Sequence, residues 1–161
     1  MFRTLLLSAA LITAPALAAW FTGEGEFQLP HQIAFMSYGD EAACRADEGR
    51  WDEDLCWFEA SDDVNVRRAA NGIYTVEVAT VTTNAHTCDF EGQGEFTYEG
   101  TILARAASER WNDDKQEWEA GECRVTLSYL DGDTVDVTPE GDCSYFCGMR
   151  AGLEIRGAKR R

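Results

Sequence analysis

Three features of the chain predict an all-β fold, a small antiparallel β-barrel with disulfide staples, with a sandwich as the alternative. Segments in its second half alternate apolar and polar residues with a period of two. Glycine and aspartate recur between them as turn residues, and six cysteines offer the cross-links that short strands use. Clean alternation means one buried face per strand, which argues against a parallel sheet buried on both faces. Closing the sheet removes the edges a sandwich keeps, so the barrel is preferred.

The chain opens with Met1-Phe2-Arg3, an apolar run from Leu5 to Ala19 and the small-residue site Ala16-Leu17-Ala18. This is the pattern of a secretory signal, and it predicts cleavage after Ala18. The run falls short of the ~20 apolar residues that span a bilayer. No cysteine follows the cleavage point, so no lipid anchor is expected. The expected product, residues 19–161, is one ordinary domain in the periplasm or secreted, with no membrane insertion after the signal is removed.

From residue 19 to residue 62 an irregular N-terminal segment with a disulfide loop is expected, because Gly23, Gly25, Pro30 and Gly39 break any period. A short helix is predicted between Asp40, a suitable N-cap, and Asp47. Asp62-Asp63 reads as a turn. The antiparallel β domain is expected over 63–161. Tyr74, Val76 and Val78 share a face, then Cys88 and Phe90, then Phe96 and Tyr98. Thr101 to Ala106 is a further apolar run, and polar residues from Ser108 to Glu122 interrupt the pattern. Cys123, Val125, Leu127 and Tyr129 alternate next, followed by Val135 and Val137, and finally by Leu153 and Ile155. A loop Leu130-Asp131-Gly132 would pair Leu127 with Val135 and Val125 with Val137, and would place Gly132 at a left-handed bulge position.

An even number of cysteines in an exported chain implies disulfides rather than reactive thiols. Spacing favours Cys44 with Cys56, Cys143 with Cys147, and Cys88 with Cys123. Those closures would stabilise by about 3, 2 and 4 kcal/mol in the chain-entropy view. His86-Thr87-Cys88 supplies only two ligand types and makes no zinc site. No metal and no cofactor is expected.

The formal net charge is −15, and loss of Arg3 with the signal makes it more negative. Such a field repels nucleic acid and anionic lipid and speeds encounter with a cationic protein. Arg150, Arg156, Lys159, Arg160 and Arg161 crowd the end of the chain and read as a solvated basic tail. With only His31 and His86, and no nucleophile elbow, zinc-protease helix, phosphate loop or dinucleotide fingerprint, no catalytic residue is assigned. The aspartate pairs Asp62-Asp63, Asp113-Asp114 and Asp131-Gly-Asp133 do not match a calcium loop and read as solvated turns.

Two segments carry a binding reading. Trp111 and Trp118 flank a charged tip. They form either an exposed aromatic patch or an inward cross-strand pair. Tyr145 and Phe146 lie between Cys143 and Cys147, either as a rigid knob or as a plug at the barrel end.

The runs Asn84-Ala-His-Thr-Cys88-Asp-Phe90-Glu-Gly92, Cys143-Ser-Tyr-Phe-Cys147-Gly148 and Arg150-Ala-Gly-Leu153-Glu-Ile-Arg156-Gly157 resemble a group of secreted proteobacterial cysteine-containing β proteins over about residues 44–161. In general style that group is similar to periplasmic β-barrel lysozyme inhibitors. The resemblance implies a non-catalytic binding protein whose partner is a cationic, envelope-attacking protein such as lysozyme. The S-G-x-x-Y type inhibitory loop of such inhibitors does not occur here, so no site residue is carried across. The alternatives are a small-ligand carrier, its cavity lined by Tyr74, Val76, Val125, Leu127 and Val135, and a carboxylate-based envelope hydrolase.

Overall fold

A computed structural model describes residues 22–97 and 100–161. The signal expected over residues 1–18, and Tyr98, lie outside the described residues. Among the described residues nine strands follow one another: β1 Gly25–Phe35, β2 Arg50–Asp52, β3 Leu55–Arg68, β4 Tyr74–Thr82, β5 His86–Phe96, β6 Thr101–Asn112, β7 Glu117–Tyr129, β8 Thr134–Gly141 and β9 Ile155–Arg160. One helix, α1 Glu41–Ala46, precedes β2, and Asp40 caps it by accepting the Ala43 N–H at 2.8 Å. All strand pairs are antiparallel. The order β1-β9-β8-β7-β6-β5-β4-β3-β2, with β1 also paired to β3, closes a ring of eight strands and leaves β2 hanging on β3. This is the closed arrangement expected, not two facing sheets.

Alternation fills the ring. Phe27, Val64, Val66, Val76, Val78, Phe90, Ile102, Val125, Leu127, Val135, Val137, Leu153 and Ile155 are buried in one continuous core. Tyr74, Val76, Val125, Leu127 and Val135, the residues a carrier would need around its cavity, belong to that core.

Several expectations are corrected. The segment thought irregular contains β1, an 11-residue strand that pairs with β3 and β9. Pro30 sits on its exposed face and does not break the strand, while His31 interrupts the inward row of Phe27, Leu29 and Ile33. Asp62-Asp63 is not a turn but lies inside β3. Asp62 faces inward where β3 parts from β4, and its Oδ1 accepts the Val81 N–H at 3.0 Å beside His31 Nε2 at 3.2 Å. The carboxylate thus replaces ladder bonds lost at the split. The β7–β8 register also differs. Leu127 pairs with Val137 and Tyr129 with Val135, and Leu130 N donates to Thr134 O around a loop Asp131-Gly132-Asp133. A two-residue displacement keeps every side chain on its face, so burial alone does not choose between the two registers. Asp131 does choose: Oδ1 accepts from Asp133 N at 2.8 Å and Oδ2 from Thr134 Oγ1 at 3.1 Å. Gly132 therefore has no need of the left-handed region. These bonds, that from Asp133 N foremost, hold the Asp131 carboxyl below its usual pKa.

The basic end is not a solvated tail. Arg156, Lys159 and Arg160 lie in β9, the strand that closes the ring, while Arg150 is exposed before it. Arg160 crosses the end of the ring, stacks on Phe27 at 4.6 Å and donates to the Glu24 carbonyl at 2.6 Å. Gly25 makes room for it, since a Cβ there would lie 2.0 Å from Arg160 Nη1.

The cysteine pairing is the clearest correction. Cys44–Cys56 forms as expected, but the others are Cys88–Cys147 and Cys123–Cys143. A 3-10 turn over Cys143–Phe146 aims Cys143 at β7 and delivers Cys147, in extended conformation, beside Cys88 as an antiparallel bridge. Short loop closure is a preference of the unfolded chain, and the native backbone overrides it. Three disulfides fit a protein of a non-cytoplasmic, oxidising compartment. Among the described residues no helix is long and apolar enough to cross a membrane.

Candidate functional site: the arm end of the ring

The ring has two unlike ends. At one, the hairpins 69–73 and 130–133 are tied down by hydrogen bonds. Tyr74 and Tyr129 donate their hydroxyls to the carbonyls of Thr22 and Gly23 at 2.7 and 2.5 Å. At the other end β1, β4 and β8 finish and β3, β5 and β9 begin, and all three disulfides lie there. That end carries the long connections 36–49 and 142–154, which hold α1 and the 3-10 turn Cys143–Phe146. Cross-links hold them by restricting the unfolded chain.

From the disulfide end β6 and β7 continue beyond the ring as a two-stranded arm. β5 pairs with β6 only up to Arg105, and β8 pairs with β7 only from Cys123. From Ala107 to Glu122 the two strands pair with each other alone. The polar stretch that seemed to interrupt the sheet is therefore its longest hairpin. Its base is fixed. Glu122 O accepts the Asp142 N–H at 3.0 Å, and a Cβ on Gly121 would lie 2.5 Å from Asp142 Oδ2. Glycine leaves this space to the Asp142 carboxylate of the turn that follows β8. At the tip, Asn112 Oδ1 accepts the Asp114 and Lys115 N–H groups at 3.0 and 3.1 Å, and Gln116 takes the left-handed residue position at φ 54°.

Trp111 and Trp118 are directly opposite in register, with rings 5.5 Å apart and edge to face. They are a cross-strand pair, and that pair faces solvent: Trp111 is 44% and Trp118 62% exposed. On the other face of the arm Glu119 gathers both nearby cations, Lys115 at 2.6 Å and Arg110 at 3.2 Å. The Lys115 bond foremost, with Asn112 and Arg110 helping, lowers the Glu119 pKa.

Tyr145 and Phe146 divide their roles. Phe146 packs edge-on against Phe90 of the core at 5.3 Å, while Tyr145 is 51% exposed. They sit in a turn bridged at one end to β7 and at the other to β5, so the rigid presentation expected of a single small loop comes from two separate disulfides. The four aromatic residues thus come to the same end of the ring, as one solvent-facing pair on the arm and one split pair beside its base. Glu119 and Asn112, which shape the arm, escaped the sequence reading. The available signal was the hairpin register, which sets Arg110 opposite Glu119.

Glu26, Asp63, Glu77 and Asp89 line an outer groove of about 450 Å³ over β3–β5. Arg161 holds Asp63 at 3.1 Å, and Arg67 and Asn65 hold Glu77. Among the described residues no group of three or more His, Cys, Asp or Glu is placed to hold a metal ion. No protein-family model, curated protein or solved structure matches this chain.

Proposed function

We propose that this is a non-catalytic periplasmic or secreted binding protein whose partner is a cationic protein that attacks the envelope, such as a lysozyme. One observation carries the reading: two tryptophans stand in solvent on an arm built outside the ring, in a molecule of net charge −15. Burying large aromatic surface is the usual use of inward strand positions. Here the chain extends its longest hairpin past the core and leaves the indoles uncovered. Tryptophan is enriched among the residues that dominate binding energy, and a strongly acidic surface raises association rates with basic proteins. The carrier reading has no comparable support, because its lining residues are the core itself.

Calorimetric titration of residues 19–161 with basic lysozymes tests the proposal. Micromolar or tighter binding that weakens as salt rises supports it. Absence of heat and of complex at low ionic strength removes lysozyme as the partner.

A further inference from the structure

We infer that the tryptophan face of the arm is a receptor for the arginine or lysine side chains of a basic protein segment, held over the indoles and neutralised by Asp113, Asp114 and Glu109. This deepens the reading above and rests on its cationic partner. The first argument is an inversion of pattern. Within the ring, β6 buries Ile102 and Ala104 and β7 buries Val125 and Leu127. Beyond Cys123 the apolar residues change sides. The ring-facing positions become Ser108, Arg110 and Asn112, opposite Gly121, Glu119 and Glu117. The outer face carries Ala107, Trp111, Trp118 and Ala120. Among the described residues nothing packs over that face: Ala107 and Ala120 are exposed with the indoles. A strand pair that moves its apolar residues to solvent, at the point where it leaves the core, has made a surface for something other than its own fold.

Charge selects the occupant. The arm has two cations, Arg110 and Lys115, and Glu119 binds both on the far face. Asp113 and Asp114 have no cation within salt-bridge distance among the described residues, and Glu109 neighbours Trp111 on the outer face. Arg110, Trp111, Asn112, Asp113 and Asp114 line a concavity of about 440 Å³ at the tip, and Arg110 is held by Glu119. An aromatic wall beside unneutralised carboxylates suits a cation that can lie on a π-face and hydrogen-bond at its rim. A guanidinium does both, and arginine is the better fit of the two.

The test uses residues 19–161, ¹⁵N-labelled, with a hexa-arginine peptide and a hexa-citrulline peptide of equal shape and no charge as probes. The expected result is saturable movement of the Trp111 and Trp118 indole N–H signals with arginine and none with citrulline. Trp118→Ala weakens hexa-arginine binding roughly fivefold, and Asp113→Asn with Asp114→Asn weakens it by a similar factor and flattens its salt dependence. Glu26→Gln with Glu95→Gln removes equal charge from the opposite, hairpin end of the ring, where both are exposed, and leaves affinity within about twofold. Equal losses at the two acidic pairs would mean that the general field, not the arm, binds, and would overturn the inference. So would equal binding of citrulline, or concentration-dependent dimerisation that itself moves both indoles. Lysozyme binding that ignores both arm variants sinks this inference alone. Arginine bound at the arm by a protein that ignores lysozymes removes only the choice of lysozyme.

Discussion

Strands β6 and β7 each serve in two regions, one inside the ring and one outside it. Between Thr101 and Ala106 and between Cys123 and Tyr129 they are staves of the ring, with Ile102, Ala104, Val125 and Leu127 fully buried. Between Ala107 and Glu122 they are an arm whose large apolar residues, Trp111 and Trp118, are exposed. Register runs unbroken from one region to the other, and the period remains two. What changes is which face is apolar, and that change separates residues that make the fold from residues free to meet a partner. Backbone pairing is indifferent to the switch, because side chains on both faces leave the ladder intact.

The largest effects belong to the ring side. Replacing Cys88 and Cys147 together with serine opens the widest closure, a sequence separation of 59, and is expected to cost about 4 kcal/mol in unfolding free energy. Urea unfolding under oxidising conditions measures it. Replacing Cys44 and Cys56, with a separation of 12, is expected to cost less, about 3 kcal/mol. Leu127→Ala leaves a cavity among fully buried neighbours and is expected to cost about 3 kcal/mol. Trp118→Ala should cost under about 1 kcal/mol, since it deletes only an exposed ring contact. If Trp118→Ala matched Leu127→Ala, the arm would be part of the core and the division between the regions would fail.

The ring was legible because its signal is local. Tyr74-Val76-Val78 and Cys123-Val125-Leu127 declare a face without reference to partners. What stayed hidden depends on residues far apart in sequence. β1 carries His31 in its inward row and Pro30 on its exposed face, and becomes a strand because β3 supplies a ladder along its whole length and β9 pairs with Phe27 and Gln28. Cysteine pairing followed the native turn at Cys143–Phe146 rather than loop length. At the candidate site, the tryptophans were visible as residues, but their exposure was not. An alternation that keeps its period while changing sides looks, in sequence, like a polar interruption.

Next in size is an alkaline effect confined to the ring. Burial at the hydrogen-bonded end pushes the Tyr129 phenol above its ordinary 10.0, with Arg160 opposing and Tyr74 adding to the rise. The unfolded chain ionises this phenol first. Its contribution is therefore full below about pH 10 and is lost as pH rises through the folded value. Urea midpoints should fall between about pH 9 and about pH 11, and Tyr129→Phe should remove part of that fall. A wild type and a variant that decline in parallel would show that Tyr129 does not link this end to pH. The arm's indole signals should not follow the transition until the ring opens.

The smallest effect belongs to the arm and runs the other way in pH. Glu119 has its pKa lowered chiefly by Lys115, with Asn112 and Arg110 behind it. A lowered carboxylate stabilises above its unfolded value and ceases to as pH falls through the folded one. Protonation then releases Lys115 and Arg110 from the far face. Because Glu119 lies on an exposed hairpin, global stability should hardly register the change. The local geometry should. Below about pH 4 the Lys115 and Glu119 backbone amides should move together, as should the Trp118 indole beside them, while Val125 and Leu127 in the same strand stay fixed. Glu119→Gln at neutral pH should reproduce the acid spectrum of the arm. It should also free two cations to compete for Asp113 and Asp114, so arginine peptides should bind this variant more weakly than they bind the wild type. Unchanged peptide affinity in Glu119→Gln would mean that the tip carboxylates are not kept available by the opposite face, and the arm's two sides would have to be treated as independent.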